Sequence, residues 1–67
     1  MNKFFLNGQK YSTSYNLTIL DLLQYFGYKK SLLVVEYNHF ICSKRDWNKT
    51  FIRNNDKIEI VTIVGGG

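Results

Sequence analysis

The sequence predicts an α+β domain in which one helix packs on a mixed sheet of five strands. Two short alternating segments meet at Asn7-Gly8, one segment with a helical period follows, and three β-rich runs complete the 67 residues. A chain of this length forms one domain with a small core. It buries too little surface for a deep catalytic cleft, so the size favours a carrier or binding module over an enzyme.

The first two strands are predicted as a hairpin. The segments "KFFL" and "QKYSTS" flank Asn7-Gly8. Asn-Gly readily adopts the two positive φ angles of a type I′ turn. The chain therefore opens with two antiparallel strands.

The helix is predicted in "LTILDLLQYFG". Its apolar residues recur at i, i+3, i+4 and i+7 and so share one face; they are Ile19, Leu22, Leu23 and Phe26. Thr18 is suited to cap the first turn, and Asp21 three residues later completes a short variant of the capping box. Gly27 favours the end of the helix.

The remaining strands follow a turn at Asn38-His39. The run "LLVVEY" before this turn predicts a strand with little exposure, and "FIC" predicts a short returning strand that holds Cys42. The connection "SKRDWNKTFIRNND" predicts irregular structure with a short helical turn near Asp46 and Trp47, whose indole fills the underside of the core. The last strand runs from Lys57 to about Ile63.

This order of elements fits a β-grasp fold best. In that architecture the first and last strands pair in parallel at the centre of the sheet, which suits the apolar runs "FFL" and "IEIVTIV". A small open barrel with a helical insert is the alternative. We expect a β-grasp domain over residues 1–64 and a flexible glycine tail over residues 65–67.

The last strand predicts an uncovered apolar surface. Val61 and Ile63 alternate onto the face that has no helix to cover it, and Phe5 lies on the same face if the first and last strands pair. These three residues form a candidate docking patch for another protein. The alternative is that they are scattered apolar residues of the kind that all protein surfaces carry.

Composition narrows the functional classes. The net charge is +4, but the nine basic residues are scattered, so we expect no nucleic-acid partner. No apolar run is long enough to cross a bilayer or to form a signal peptide, and the single Cys42 allows no internal disulfide. We therefore expect a soluble, intracellular protein with no membrane partner.

Few side chains suggest a catalytic or metal site. His39 and Cys42 form an H-x-x-C pair, but zinc takes three or four ligands, so no metal site is predicted. Cys42 is expected to pack as a small hydrophobe rather than to react. No catalytic residue is assigned.

The tail is the remaining candidate for chemistry. Gly65, Gly66 and Gly67 have no side chains, so this segment can thread a channel too narrow for other residues and present its terminal carboxylate. A carboxylate becomes reactive toward sulfur or an amine once ATP adenylates it, provided that a partner holds it in line with the α-phosphate. The alternative is a frayed chain end.

Together these segments resemble the ThiS family of sulfur carrier proteins, which are ubiquitin-like β-grasp proteins that end in Gly-Gly. The likeness comprises "FFLNGQ", "TILDLLQYFG", "LLVVEYNHFI", Trp47 and the terminal "NDKIEIVTIVGGG". The terminal segment is the specific part. The family often has Pro and Arg ahead of the tryptophan, where this chain has Ser43 and Lys44.

The resemblance implies that the protein carries sulfur rather than catalyses a reaction. A ThiF-type enzyme would adenylate Gly67 with ATP, and a donor such as a cysteine desulfurase would supply the sulfur of a thiocarboxylate. That group would donate sulfur to thiazole synthase, ThiG, in thiamine biosynthesis. Gly65 and Gly66 would form the tether, and the free carrier would be a monomer that binds no cofactor of its own.

Two alternatives stay open beside this function. A ubiquitin-like modifier would form isopeptide bonds to lysines, and the small subunit of molybdopterin synthase is a sulfur carrier with the same Gly-Gly ending. The chain is rich in residues with AT-rich codons and lacks Ala and Pro, which favours a low-GC genome. We expect location in the chloroplast stroma, with the cytoplasm of a low-GC bacterium as the alternative.

Overall fold

The computed structural model describes residues 1–29 and 32–63 of the chain. Within them a five-stranded sheet has the order β2-β1-β5-β3-β4. The elements are β1 (Asn2–Leu6), β2 (Gln9–Thr13), α1 (Ile19–Tyr25), β3 (Leu33–Tyr37), β4 (Phe40–Ile41), a 3-10 helix (Lys44–Asp46) and β5 (Lys57–Thr62). The predicted order of elements is confirmed.

The strand β5 is central, as predicted. It pairs in parallel with β1 at Phe5–Lys57 and Leu6–Ile58. On its other side it pairs antiparallel with β3 over five positions, from Tyr37–Ile58 to Leu33–Thr62. The mixed sheet of a β-grasp fold is therefore present, rather than the open barrel.

The first hairpin turns at Asn7-Gly8 with φ angles of 50° and 83°. Both angles are positive, as a type I′ turn requires. Asn tolerates the left-handed region better than other residues with a side chain, and Gly adopts it without steric cost. The predicted turn is confirmed.

The helix α1 begins with the predicted cap. Thr18 Oγ1 accepts the Asp21 N–H at 3.1 Å, and Asp21 Oδ2 accepts the Thr18 N–H at 3.0 Å. These reciprocal bonds satisfy two donors that the first turn leaves unpaired. The predicted helical face was wrong for Phe26, because α1 ends at Tyr25 and Phe26 is the C-terminal cap, 39% exposed.

The core lies between α1 and one face of the sheet and includes the buried indole of Trp47. Its buried apolar members are Phe4, Leu6, Ile19, Leu22, Leu23, Val35, Trp47, Ile52, Ile58 and Ile60. Trp47 Nε1 donates to the Cys42 carbonyl at 2.9 Å, so the buried indole keeps its hydrogen bond. The predicted placement of Trp47 under the core is confirmed.

Cys42 departs from its predicted place in a strand. The strand β4 ends at Ile41, and Cys42 lies just beyond it with its side chain partly buried against the core. Its N–H still donates to the Val35 carbonyl at 2.8 Å. The pairing thus continues for one bond after the strand geometry ends.

Candidate functional site

The candidate site is the end of β5 and the sheet face beside it. The predicted sulfur-bearing residue Gly67 and the tether residues Gly65 and Gly66 lie outside the described residues. The last described residue is Ile63, whose N–H donates to the Leu32 carbonyl at 2.8 Å. Leu32, which directly precedes β3, therefore holds the chain as far as position 63.

The candidate docking patch lies on the face of the sheet away from α1. Side chains alternate along a strand, so Lys57, Glu59, Val61 and Ile63 point away from the buried Ile58 and Ile60. Val61 is 55% exposed and Ile63 is 49% exposed. This surface, which we term the open face, extends to Ile63, the last described residue.

Phe5 shares the open face but is separated from the other two patch residues. It pairs with Lys57, which precedes Val61 by four positions, so the two side chains are about 13 Å apart along the strand direction. The neighbour of Val61 across the strands is Val34 of β3, which is partly buried. The apolar part of the open face nearest the tail is therefore Val34, Val61 and Ile63.

Charged residues separate Phe5 from that apolar part. Glu36 of β3 lies directly opposite Glu59 of β5. With Phe5, His39 and Lys57, these two carboxylates line a shallow groove of about 200 Å³. Like charges directly opposite each other across two strands repel, so the pairing of Glu36 with Glu59 lowers the stability of the sheet on this face.

A buried carboxylate organises the loop that precedes β5. Asp56 Oδ2 accepts the Tyr37 hydroxyl at 2.5 Å and the Arg53 N–H at 2.6 Å, and Asp56 Oδ1 accepts from Asn38 Nδ2 at 3.0 Å. Burial, together with the hydrogen bond and the charge of Asp56, raises the pKa of Tyr37 from 10.0 to about 12. These bonds fix the point at which β5 begins.

The structure does not assemble the H-x-x-C pair into a ligand set. His39 is exposed in the turn after β3, while Cys42 Sγ lies 3.6 Å from Thr50 Oγ1. Within residues 1–29 and 32–63, no three His, Cys, Asp or Glu side chains are grouped so that they could hold a metal ion. Over the same residues no helix is long and apolar enough to span a membrane.

A second groove, of about 550 Å³, lies between α1 and β2. Aromatic rings line it: Tyr11 meets Phe26 edge to face at 5.5 Å, and Phe26 meets Tyr25 in the same way at 5.1 Å. The strand and helix patterns did not predict this groove. Phe26, the residue that caps the C-terminus of α1, is among the residues that line it.

Three features of the site region were missed by the sequence reasoning. They are Val34 beside Val61, the pair Glu36 and Glu59, and the side chain of Asn7, which accepts the Ile60 N–H at 2.8 Å. Alternation along each strand could have placed the first two features on the open face. Their pairing required the register between β3 and β5, which no local pattern supplies.

The fold and the exposed strand end define a small β-grasp protein of the ubiquitin-like class. A solved structure, the thiamine biosynthesis protein (ThiS) of Geobacter metallireducens, has the same fold with a TM-score of 0.82. The match covers 97% of this chain and 99% of that chain at 20% sequence identity. The β-grasp fold is therefore established.

The sequence comparisons go beyond the fold. The model of the ThiS family matches residues 5–67, so the chain belongs to the ThiS family. The protein ycf40 of Trieres chinensis is 62% identical over 64 residues, which cover 96% of this chain and 88% of that protein. A thiazole synthase of Magnetococcus marinus is 29% identical over 65 residues, or 97% of this chain but 20% of that enzyme.

Proposed function

We propose that this protein is the sulfur carrier that supplies sulfur for thiazole formation in thiamine biosynthesis. The observation that carries the proposal is the family match over residues 5–67, which includes the terminal Gly65, Gly66 and Gly67. A carrier needs no catalytic residues of its own. It needs a stable fold that partners recognise and a terminal carboxylate that they can reach.

The proposed chemistry takes place at the carboxylate of Gly67. A ThiF-type enzyme joins this carboxylate to the α-phosphate of ATP and releases pyrophosphate. The persulfide sulfur of a donor such as a cysteine desulfurase then displaces AMP and forms an acyl disulfide. A thiol reductant cleaves that disulfide, and the C-terminus is left as a thiocarboxylate. The partner supplies the positive charge and the alignment that phosphoryl chemistry requires.

The proposed acceptor of the sulfur is thiazole synthase, ThiG. A relative with that name contains a stretch similar to nearly the whole of this chain within a longer protein. We infer that the chain described here presents its terminal carboxylate to a thiazole synthase.

The open face is the proposed docking surface for these partners. Val61 and Ile63 are both about half exposed and lie immediately before the tail. A partner that covers them gains apolar burial and receives the tether at the edge of the same interface. Phe5 would contact the same partner farther along the face.

We further propose that the protein functions in a plastid, in the stroma. The composition rich in AT-encoded residues and the similarity to ycf40 proteins of algae support this location. A low-GC bacterial cytoplasm is the alternative. Detection of a fluorescent fusion in isolated plastids of the source cell would distinguish them.

The proposed function is tested by intact-mass spectrometry. The full chain is incubated with ATP, the adenylating enzyme and a sulfur donor, and we expect the mass to rise by the exchange of one oxygen for one sulfur. A chain that lacks Gly65, Gly66 and Gly67 is the control, because it no longer ends in Gly-Gly; it should fold normally and gain nothing. Absence of the exchange with partners that are active on another carrier rejects the proposal, and conjugates on lysine side chains would favour a modifier instead.

A further inference from the structure

The strand β5 extends beyond the end of its neighbour β1. Their parallel pairing stops at Leu6–Ile58, because the chain turns at Asn7-Gly8 and returns as β2. β5 continues to Thr62 and is paired with β3 over its second half. Among the described residues, the β1 side of that half therefore has no strand beside it.

Asn7 extends the pairing beyond the end of β1. Its backbone N–H donates to the Ile58 carbonyl at 2.9 Å, and its side-chain Oδ1 accepts the Ile60 N–H at 2.8 Å. The side chain thus takes the place of the next carbonyl that a longer β1 would have supplied. Ile60 is buried and Asn7 is exposed, so this bond is partly buried.

We propose that Asn7 is a positioning residue, which fixes the direction in which β5 leaves the domain and so where the tail is presented. This inference rests on the proposed function. Without the bond to Ile60, the last residues of β5 would be held from the β3 side alone. The end of β5 would then take a wider range of directions, so a smaller fraction of molecules would present the tail in the direction that a partner needs. The apparent affinity of the carrier for that partner falls in proportion to this fraction.

The turn allows this role to be separated from the geometry of the hairpin. Asn7→Gly keeps a residue that adopts φ of 50° but removes the acceptor oxygen. Asn7→Asp keeps an acceptor oxygen and tolerates the same conformation. The two variants therefore differ in the bond to Ile60 while both preserve the turn.

A matched control lies at the other end of β5. Asn38 has φ of 51°, and its Oδ1 accepts the Lys57 N–H at 2.8 Å. Asn38→Gly removes the same kind of bond from a turn residue of the same conformation, together with the donor to Asp56. It acts where β5 begins, far from the tail.

The experiment measures pyrophosphate release by the adenylating enzyme at varied concentrations of the full carrier chain. We expect Asn7→Gly to raise KM about five-fold, with kcat within about two-fold of the unmutated chain. Asn7→Asp and Asn38→Gly should keep KM within about two-fold. Hydrogen exchange by NMR should show the Ile60 amide exchanging about ten-fold faster in Asn7→Gly than in Asn7→Asp.

The outcomes separate this inference from the function on which it rests. An unchanged KM in Asn7→Gly, an equal rise in Asn38→Gly, or unaltered exchange at Ile60 overturns the positioning role alone. A wild-type chain that is not adenylated by an active enzyme overturns the proposed function, and the positioning role with it. Urea denaturation of each variant confirms that all are folded under the assay conditions.

Discussion

The hydroxyl of Tyr37 donates a hydrogen bond of 2.5 Å to the carboxylate of Asp56. Tyr37 ends β3 and Asp56 precedes β5, so the bond ties together two strands at the point where their pairing begins. Asp56 also accepts from Arg53 and Asn38. A buried carboxylate with these donors stabilises the loop before the central strand.

Tyr37→Phe should lower the free energy of unfolding by about 2 kcal/mol, because a hydrogen bond to a charged group is lost. Urea denaturation with linear extrapolation measures the change. Tyr25→Phe is the matched control, since Tyr25 is 81% exposed and should change stability by less than about 0.5 kcal/mol. Equal effects of the two substitutions would contradict the assigned role of the bond.

The same bond predicts a pH dependence at alkaline pH. The pKa of Tyr37 is raised in the folded protein from 10.0 to about 12, so the stabilisation is complete below pH 10.0 and is lost as the pH rises toward about 12. The difference in stability between the unmutated chain and Tyr37→Phe should therefore narrow over this range. Other titrating groups are common to both proteins. A difference in stability that stays constant up to pH 12 would show that folding does not raise the pKa of Tyr37.

Thr18→Ala should destabilise the protein by about 1 kcal/mol, because Oγ1 no longer accepts the Asp21 N–H in the first turn of α1. Thr18→Ser keeps the acceptor and should stay within about 0.5 kcal/mol of the unmutated chain. Thermal unfolding followed by circular dichroism measures both. A Ser variant as unstable as the Ala variant would assign the effect to the lost methyl group instead of the cap.

Glu59→Gln should raise the free energy of unfolding by about 0.5 kcal/mol, because it removes one of two like charges that face each other across β3 and β5. The gain should shrink in high salt, which screens exposed charges. Urea denaturation at low and high ionic strength provides the measurement. A loss of stability at low salt would mean that attraction between Glu59 and Lys57 outweighs the repulsion from Glu36.

Val61→Asp should raise the KM of the carrier for its adenylating enzyme about ten-fold, because a charge would be buried in the proposed interface. The free energy of unfolding should change by less than about 1 kcal/mol, since Val61 is exposed in the free protein. Tyr15→Asp introduces the same charge at an exposed position away from the open face and should leave KM unchanged. Equal KM values for the two variants would show that Val61 does not contact the adenylating enzyme.

Local patterns predicted most of the fold. Asn7-Gly8 predicted the first turn because few other pairs adopt two positive φ angles, and Thr18 with Asp21 predicted the start of α1 because their bonds span only three residues. Phe26 was misplaced for the opposite reason. A periodic pattern shows which residues share a face but not the residue at which the helix ends. Here α1 ends two residues before Gly27, so Phe26 falls outside it.

The site was predicted less completely than the fold. Val61 and Ile63 were placed on the open face by alternation alone, and their exposure follows from the burial of Ile58 and Ile60, which precede them and point to the opposite face. The separation of Phe5 from Val61 was not foreseen. It follows from the short parallel register of β1 and β5, which pairs Phe5 with Lys57.

The sequence by itself determined the order of elements, the tight turns and the helix cap, because these depend on residues close together in the chain. It also determined the membership of the ThiS family, through the match over residues 5–67. Only the tertiary structure decided that Asn7 binds Ile60, that Tyr37 binds Asp56 and that Glu36 faces Glu59. Such partners are far apart in sequence. They meet only after the apolar faces of the sheet and α1 have packed and set the register of the strands.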